Sequence, residues 1–364
     1  MSTFLDVFID VTKYGTKIPS NQYLPNGKYP IIDQGQNAIA GFTNQEEGLF
    51  TDVPAIVFGD HTRAIKYVDK PCFLGADGVK LLKAKSKCAN YKYLYYVLLN
   101  AKIPDTGYNR HFKWLKEINI PLYDEKKQEN IVNELDKITD LIDKRKEQLK
   151  RLDELVKARF VELFGDPETN PNGWKKVTVG DVCSSIVRGP FGSALKKDFF
   201  VEPSDTTYKV YEQKHAIQKS ATIGTYYVTE EKYQELKRFE CVSGDILMSC
   251  SGTMGELYQL PEGCERGIIN QALCKFTLND KMLPVCFLTY MKQTIGNLET
   301  KGSGIKNIAA VSYVKAMPIN LPPMDVQLEF ENFCKQTDKS KLEVQKSLEK
   351  LELLKNALMQ KYFG

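Results

Sequence analysis

Residues able to do chemistry gather in a few short runs of this chain. Gly59-Asp60-His61-Thr62-Arg63 sets an acid, an imidazole, a hydroxyl and a guanidinium side by side, directly after an apolar run. Catalysis there would need a nucleophile with its base, or a set of metal ligands. The chain has only three histidines, His61, His111 and His215. A turn whose polar tip faces a ligand is the better reading. Gly107-Tyr108-Asn109-Arg110-His111-Phe112-Lys113 interleaves basic, amide and aromatic side chains. That mixture suits phosphate contact and hydrogen bonding to base edges; a solvated loop before a helix is the alternative.

The second half repeats the theme with smaller residues. Arg188-Gly189-Pro190-Phe191-Gly192-Ser193 and Ser249-Cys250-Ser251-Gly252-Thr253-Met254-Gly255 are loops whose amides and hydroxyls suit an anion. Neither ends in the Gly-Lys-Ser/Thr of a nucleotide-binding loop, so tight turns without a ligand are the competing reading. Lys301-Gly302-Ser303-Gly304-Ile305-Lys306-Asn307 stands where the first half has residues 107–113, and basic side chains at equivalent places favour binding. Gly302-x-Gly304 lacks the third glycine of a dinucleotide fingerprint.

No enzyme motif is found. Leu321-Pro322-Pro323-Met324 has the two prolines of an amino-methyltransferase tetrapeptide but the wrong flanks. Leu cannot accept a hydrogen bond from a target amine, and Met cannot stack a base as an aromatic ring does. Gly-x-Ser-x-Gly and His-Glu-x-x-His are absent. No catalytic residue, metal or cofactor is expected.

The elements that must position these loops come as a duplication. Residues 120–165 align with residues 319–364 at a constant offset, without a gap. Identities include Leu122/Leu321, Gln128/Gln327, Asn133/Asn332, Leu149/Leu348, Leu152/Leu351, Leu155/Leu354, Ala158/Ala357 and Phe164-Gly165/Phe363-Gly364. Each copy carries an apolar seam in steps of four and three, the signature of a coiled coil. The first seam is Ile131, Leu135, Ile138, Ile142, Leu149, Leu152, Val156 and Leu163, with Arg145 and Arg159 in the same series. The second is Phe330, Cys334, Val344, Leu348, Leu351, Leu358 and Tyr362, interrupted by Thr337, Lys341 and Lys355. Two such helices from one chain most simply pair with each other.

The repeat extends upstream. Asp6-Val7 matches Asp181-Val182, residues 29–34 match 208–213, residues 56–58 match 246–248, and residues 93–96 match 287–290. The offset drifts, so the second globular segment carries extra loops. Residues 29–33, 55–58, 79–82, 208–211, 245–248 and 275–278 read as strands; residues 91–99 and 285–292 read as short helices. The chain therefore divides as globular segment 1–121, helix 122–165, globular segment 166–318 and helix 319–364.

Bulk properties are those of an ordinary globular protein. In 364 residues there is no apolar run long enough to span a membrane and no visible secretory signal. Nine cysteines, an odd number without Cys-x-x-Cys, argue against a disulfide framework and a structural zinc. A reducing cytoplasm is expected. The net charge of +4 neither demands nor excludes nucleic acid, so any basic surface must come from local clustering.

With the duplication laid out, the chain resembles a type I restriction–modification specificity subunit over essentially its whole length. Ile120-Pro121-Leu122 to Gln128 and Ile319-Asn320-Leu321-Pro322-Pro323 to Gln327, each leading into a heptad helix that ends in Phe-Gly, resemble that family's spacer regions. Gly107-Tyr108-Asn109-Arg110-His111 with Leu115-Lys116, and Gly304-Ile305-Lys306-Asn307 with Val314-Lys315, resemble the close of its target-recognition domains. Asn172-Gly173-Trp174 with Gly180-Asp181 resembles their opening; the first half lacks the Gly-Trp pair and has Phe4 nearby.

The resemblance implies an α+β fold. Two globular α/β target-recognition domains would be separated by a pair of long antiparallel coiled-coil helices, with a pseudo-twofold internal repeat. It implies a non-enzymatic reader of double-stranded DNA that joins two methyltransferase subunits and restriction/translocase subunits, without a membrane partner. Because the two globular segments have diverged, a split, asymmetric target is expected.

On that reading the expected DNA contacts in the first domain are Gln34, Gln36, His61, Thr62, Arg63, Asn109, Arg110 and Lys113. In the second they are Arg188, Ser193, Lys196, Lys197, Gln213, Lys214, Thr253, Lys301, Lys306 and Asn307. Arg, Gln and Asn suit base edges, Lys and hydroxyls suit phosphate. Gln34 and Gln213 occupy matched positions, so a structural role in both domains is the alternative. Two rival classes are a coiled-coil adaptor or scaffold without DNA specificity, and an enzyme with an unrecognised site.

Overall fold

The computed structural model describes residues 1–75, 77–300 and 310–364. The chain forms two compact units, residues 1–147 with 345–364, and residues 148–344.

The first unit is built on the strand Ala55–Gly59, every residue of which is buried. Successive strand side chains point to opposite faces, so a wholly apolar strand must be covered on both. Ile56 and Phe58 join a core with Tyr93, Leu94 and Val97 of the helix Tyr91–Leu99. Ala55 and Val57 join a second core with Ile32, Cys72 and Leu74. The strand lies in an antiparallel four-stranded sheet of order Phe8–Asp10, Val79–Ala84, Ala55–Gly59, Ile65–Val68. A smaller sheet, Gly41–Thr43, Tyr29–Ile32 and Phe73–Leu74, includes one parallel pair.

The second unit repeats this plan. Its main sheet runs Cys183–Arg188, Leu273–Leu278, Ile246–Ser249, Leu257–Gln259, in the same order and also antiparallel. Ile246 and Met248 pack with Phe276, Phe287 and Met291, while Leu247 packs with Tyr211 and Ile269. The smaller sheet has gained an edge strand, Glu240–Cys241, beside Gly267–Ile269, Thr207–Tyr211 and Tyr227–Thr229. The helix expected over 285–292 is longer, Pro284–Thr300. Although the first half lacks the Gly-Trp pair, it opens as the second does. Ser2–Thr3 pairs with Asn119–Ile120 as Lys175–Thr178 pairs with Pro318–Leu321. Thr3 and Asp6 form the reciprocal cap that Thr178 and Asp181 form.

The duplicated segments are the long helices Glu125–Phe164 and Met324–Phe363. Their matched glutamines close the same loop: Gln128 Nε2 donates to the Tyr123 carbonyl (2.7 Å) and Gln327 Nε2 to the Pro322 carbonyl (3.0 Å). In the first unit Ile131, Val132 and Leu135 share a core with Leu358, Met359 and Phe363. Tyr362 Oη donates to Glu134 (2.6 Å) and Arg145 Nε to Ser347 Oγ (3.2 Å), an antiparallel register. Asp136 anchors the helix Tyr91–Leu99, accepting from Tyr96 Oη at 2.7 Å and Lys92 Nζ at 2.6 Å.

In the second unit Phe330 sits edge-on to Phe160 and Phe164, centroids 5.3 and 5.5 Å away. Lys341 pairs with Asp153 (2.7 Å), and Arg159 pairs with Glu329 and with Glu162 (2.7 Å). Thr337 returns its hydroxyl to the Phe333 carbonyl (2.9 Å). These polar interruptions of the seam thus have partners. Lys355 is the costlier one, since burial pushes its ammonium below the usual lysine range.

The added edge strand is held by charge. Glu240 accepts from Tyr233 Oη, Arg266 Nη2 (2.6 Å) and Lys237 Nζ (3.0 Å). Burial opposes its ionisation, yet these donors together hold the carboxyl at about 2. A folded-state value below the unfolded one gives stability that is present above the unfolded value and lost as pH falls through the folded one. Arg266 and Lys237 are largely exposed, so solvent screens much of this interaction, and Glu240→Gln is expected to cost only on the order of 1–2 kcal/mol at neutral pH. It should also flatten the loss of stability between about pH 4.5 and about pH 2. Urea unfolding at a series of pH values measures both.

Candidate nucleic-acid interface

In the first unit three loops meet where the central strand ends. The turn after Ala55–Gly59 closes on itself, with Arg63 N donating to Gly59 O (2.8 Å) and Gly59 N to Ala64 O (2.7 Å). Arg63 is in the left-handed region at φ 60°, a conformation that non-glycine residues adopt only when their surroundings impose it. Its guanidinium supplies that constraint, reaching Asp105 Oδ2 (2.7 Å) and Ile103 O (3.3 Å). The Gly107 amide, then Arg63, hold the Asp105 carboxyl below the ordinary range. The loop after Tyr29–Ile32 joins through Gln34, whose side-chain oxygen accepts from His61 N (3.4 Å) and whose carbonyl accepts from Thr62 Oγ1.

The third loop, residues 105–113, is tied to the turn by a buried acid. Asp60 O accepts from His111 N (2.7 Å) and from His111 Nδ1 (3.0 Å), while Asp60 Oδ1 accepts from Phe112 N (2.7 Å). His61 Nδ1 donates to Asn109 O (3.2 Å), and the Asn109 amide donates to Thr106 O (2.6 Å). Arg110 and Lys113 are exposed. Lys113 Nζ lies 4.1 Å from the Trp114 ring centroid. Lys17 foremost, and Arg110 more weakly, keep the Asp77 carboxyl below its usual range.

The expected contacts of this unit are thus brought together. Gln34, Arg63 and Asn109 have side chains engaged within the protein, whereas Gln36, Arg110 and Lys113 lie on the exposed surface. Asp60, Asp105 and Tyr108 belong to the site and were not among the expected contacts. Tyr108 stood inside the mixed aromatic and basic run. The pairing of Asp60 with His111 spans two loops and leaves no periodic trace in the sequence.

The second unit places its loops at the same end of its main sheet, since Arg188 pairs with Cys274 and Ser249 with Leu273. Gln213 Oε1 accepts from Ser251 Oγ (2.8 Å), so the matched glutamines both reach the loop after the central strand. Ser249 Oγ donates to Thr253 O (2.6 Å), shaping the loop that exposes Thr253. His215 is fully buried. It accepts the Glu212 amide on Nδ1 (2.9 Å) and donates from Nε2 to Ile223 O (2.7 Å). Burial lowers its pKa, in keeping with this neutral, bracing role.

Lys214 pairs with Glu212 (2.6 Å) and lies over Tyr226, on which Phe200 stacks. Arg188 Nε donates to Gln271 O (3.2 Å), with its guanidinium 5.3 Å from the Phe191 ring centroid. Ser193, Lys196 and Lys197 are exposed on the segment leading to Phe200. Lys301, Lys306 and Asn307 lie outside the described residues.

The chain matches the family model described as the type I restriction modification DNA specificity domain over residues 4–152 and 171–353. It is similar in fold to the crystal structure of the type-I restriction-modification system S subunit from M. genitalium. Identity there is 16%, the TM-score is 0.55, and 100% of this chain and 95% of that chain are covered. It is also similar to a structure described as the structural basis underlying complex assembly and conformational transition of the type I R-M system. There identity is 15% and the TM-score 0.58, with 93% of this chain and 92% of that one covered.

At Gly189 two loops of the second unit approach backbone to backbone. A β-carbon on it would overlap the Asn270 carbonyl, which is backbone and cannot swing aside. Gly189→Ala is expected to cost about 1–3 kcal/mol. Ser193→Ala, exposed nearby, should stay within about 0.5 kcal/mol of wild type. Denaturant titration of the two variants checks the contrast.

Proposed function

The chain belongs to the family of type I restriction modification DNA specificity domains, and from that premise we propose that it is a non-catalytic reader of a split, asymmetric DNA target. Each unit reads one half-site with the loop cluster at the end of its main sheet. The duplication of that cluster carries the reading. Gln34 and Gln213, matched in sequence, each bind the loop that follows a central strand. Basic residues sit in the loops at that end of each sheet, Arg110 and Lys113 in the first unit and the half-buried Arg188 and Lys214 in the second. In the first domain Arg110 and Gln36 are assigned to base edges and Lys113 to phosphate. In the second, Arg188 and Gln213 are assigned to bases, and Ser193, Lys196, Lys197, Lys214 and Thr253 to the backbone. Lys301, Lys306 and Asn307 complete that set. Gln34, His61, Thr62, Arg63 and Asn109 act chiefly by holding the loops in place.

Chemistry, on this reading, is left to partners in the cytoplasm: two methyltransferase subunits and the restriction/translocase subunits. Matched leucines on the long helices support such docking. Leu155 and Leu354 are 49% and 48% exposed; a singly exposed leucine is ordinary, so the support lies in its recurrence at the matched position of both repeats.

The test is a genome-wide map of methylated bases in the source cell with the gene intact and deleted. One bipartite, non-palindromic motif should lose its methylation on deletion. An unchanged map with the partner methyltransferase expressed would favour the scaffold reading, and a palindromic motif would rule out two different half-sites. Within the first half-site, Arg110→Ala should weaken binding by more than about 1 kcal/mol and relax discrimination at one position. Competition binding against singly substituted duplexes measures this.

A further inference from the structure

Tyr108 is 86% exposed, yet it is not loosely held. It stands at the tip of a hydrogen-bonded turn in which Asn109 N donates to Gly107 O (2.8 Å), with Gly107 at φ 73°. The turn is fastened on both sides. Gly107 N donates to Asp105 Oδ1 (3.1 Å), and the Asn109 side chain donates to Thr106 O. One face of the Tyr108 ring lies against the imidazole of His61, centroids 4.6 Å apart and planes within 8°. His61 is itself oriented. A carbonyl can only accept, so its bond to Asn109 O fixes the hydrogen on Nδ1. The ordering cost of presenting an aromatic ring has therefore been met before any ligand arrives.

A single exposed aromatic is common on protein surfaces. A braced one, with its inner face already stacked and its outer face open, is different. Two parallel rings present a flat apolar surface of the kind that accepts a third ring. Tyr108 stacks on His61 and lies in the same short segment as the exposed Arg110 and Lys113, the surface assigned above to the first half-site. The ligand chemistry that fits is the face of a nucleobase.

We propose that Tyr108 is a preformed stacking platform that enters the first half-site and takes the face of one base, unstacking a single step of the duplex. This rests on the DNA-reading function proposed above and adds a mode of recognition to it. Arg110 and Gln36 read base edges, whereas Tyr108 reads how readily one step opens, a deformability term. Pyrimidine–purine steps, which open most easily, are the expected place.

The experiment uses the full chain and duplexes carrying its target. Fluorescent purine analogues, 2-aminopurine for adenine and 6-methylisoxanthopterin for guanine, are placed in turn along the first half-site. Wild type should raise the emission at one step only. Tyr108→Phe keeps the ring and should retain that signal. Tyr108→Ala should lose it and bind roughly five- to tenfold more weakly, the lower part of the range for losing one base–aromatic stack. Its salt dependence should equal wild type, because no phosphate contact is removed. Lys113→Ala should instead reduce the salt slope by about one.

A changed salt slope in Tyr108→Ala would mean that the loop has collapsed, making Tyr108 structural and overturning the proposal. Specific wild-type binding with no emission change at any step would also overturn it, leaving the reader function intact. So would a Tyr108→Ala protein that binds and reports as wild type does. Failure of the wild-type chain to prefer its target over unrelated duplex would overturn both.

Discussion

The constraint on which each unit depends is the two-sided burial of one short strand. Ala55–Gly59 and Ile246–Ser249 have no polar face, so each must be covered above and below. One cover is a helix docked on the long helices, and the other is the smaller sheet. With both faces closed, the strand's terminus is where a loop can reach solvent. That is where the Gly59–Arg63 and Ser249–Gly255 turns emerge. The position of the candidate binding loops is thus a consequence of core formation.

Loops so placed still need a defined shape, and buried polar groups provide it. In the first unit Asp60 takes two donors on its carbonyl and one on its carboxylate, fixing the segment that carries Arg110 and Lys113. In the second unit His215 does comparable work, spanning Glu212 and Ile223 beneath Gln213. The chemistry differs while the task is the same. Buried polar groups that are fully satisfied rigidify and specify a surface. The two loop clusters have diverged around a common frame, which suits the proposal that the two units read different half-sites.

The long helices show how polar residues in an apolar seam can be afforded. Arg145 meets Ser347, Lys341 meets Asp153 and Arg159 meets Glu329. A seam of leucines alone tolerates slippage by a heptad; a charge that finds its partner in only one alignment does not. These pairs act mainly on register, since exposed ion pairs add little to stability.

The sequence alone determined the duplication, the long helices, the central strands and the family resemblance, but not the edge strands beside them, such as Ile65–Val68, Cys183–Arg188 and Leu257–Gln259. The former are periodic or local signals, and hydrophobic period and repeated residues survive in a linear string. Strand 55–58, helix 91–99 and the match of Gln34 with Gln213 were all legible there. The sequence could nominate Gly59–Arg63 and residues 107–113 as polar clusters but could not say that they meet. That was decided by Asp60 and His111, residues whose contact depends on how two chain segments fold back. Nor could it separate side chains that brace from side chains that face outward. Arg63 and Arg110 are both arginines in polar loops, and only tertiary structure commits one to Asp105 and exposes the other. The physical reason is that a side chain's role is set by which neighbours compete for its hydrogen bonds, and those neighbours are distant in sequence.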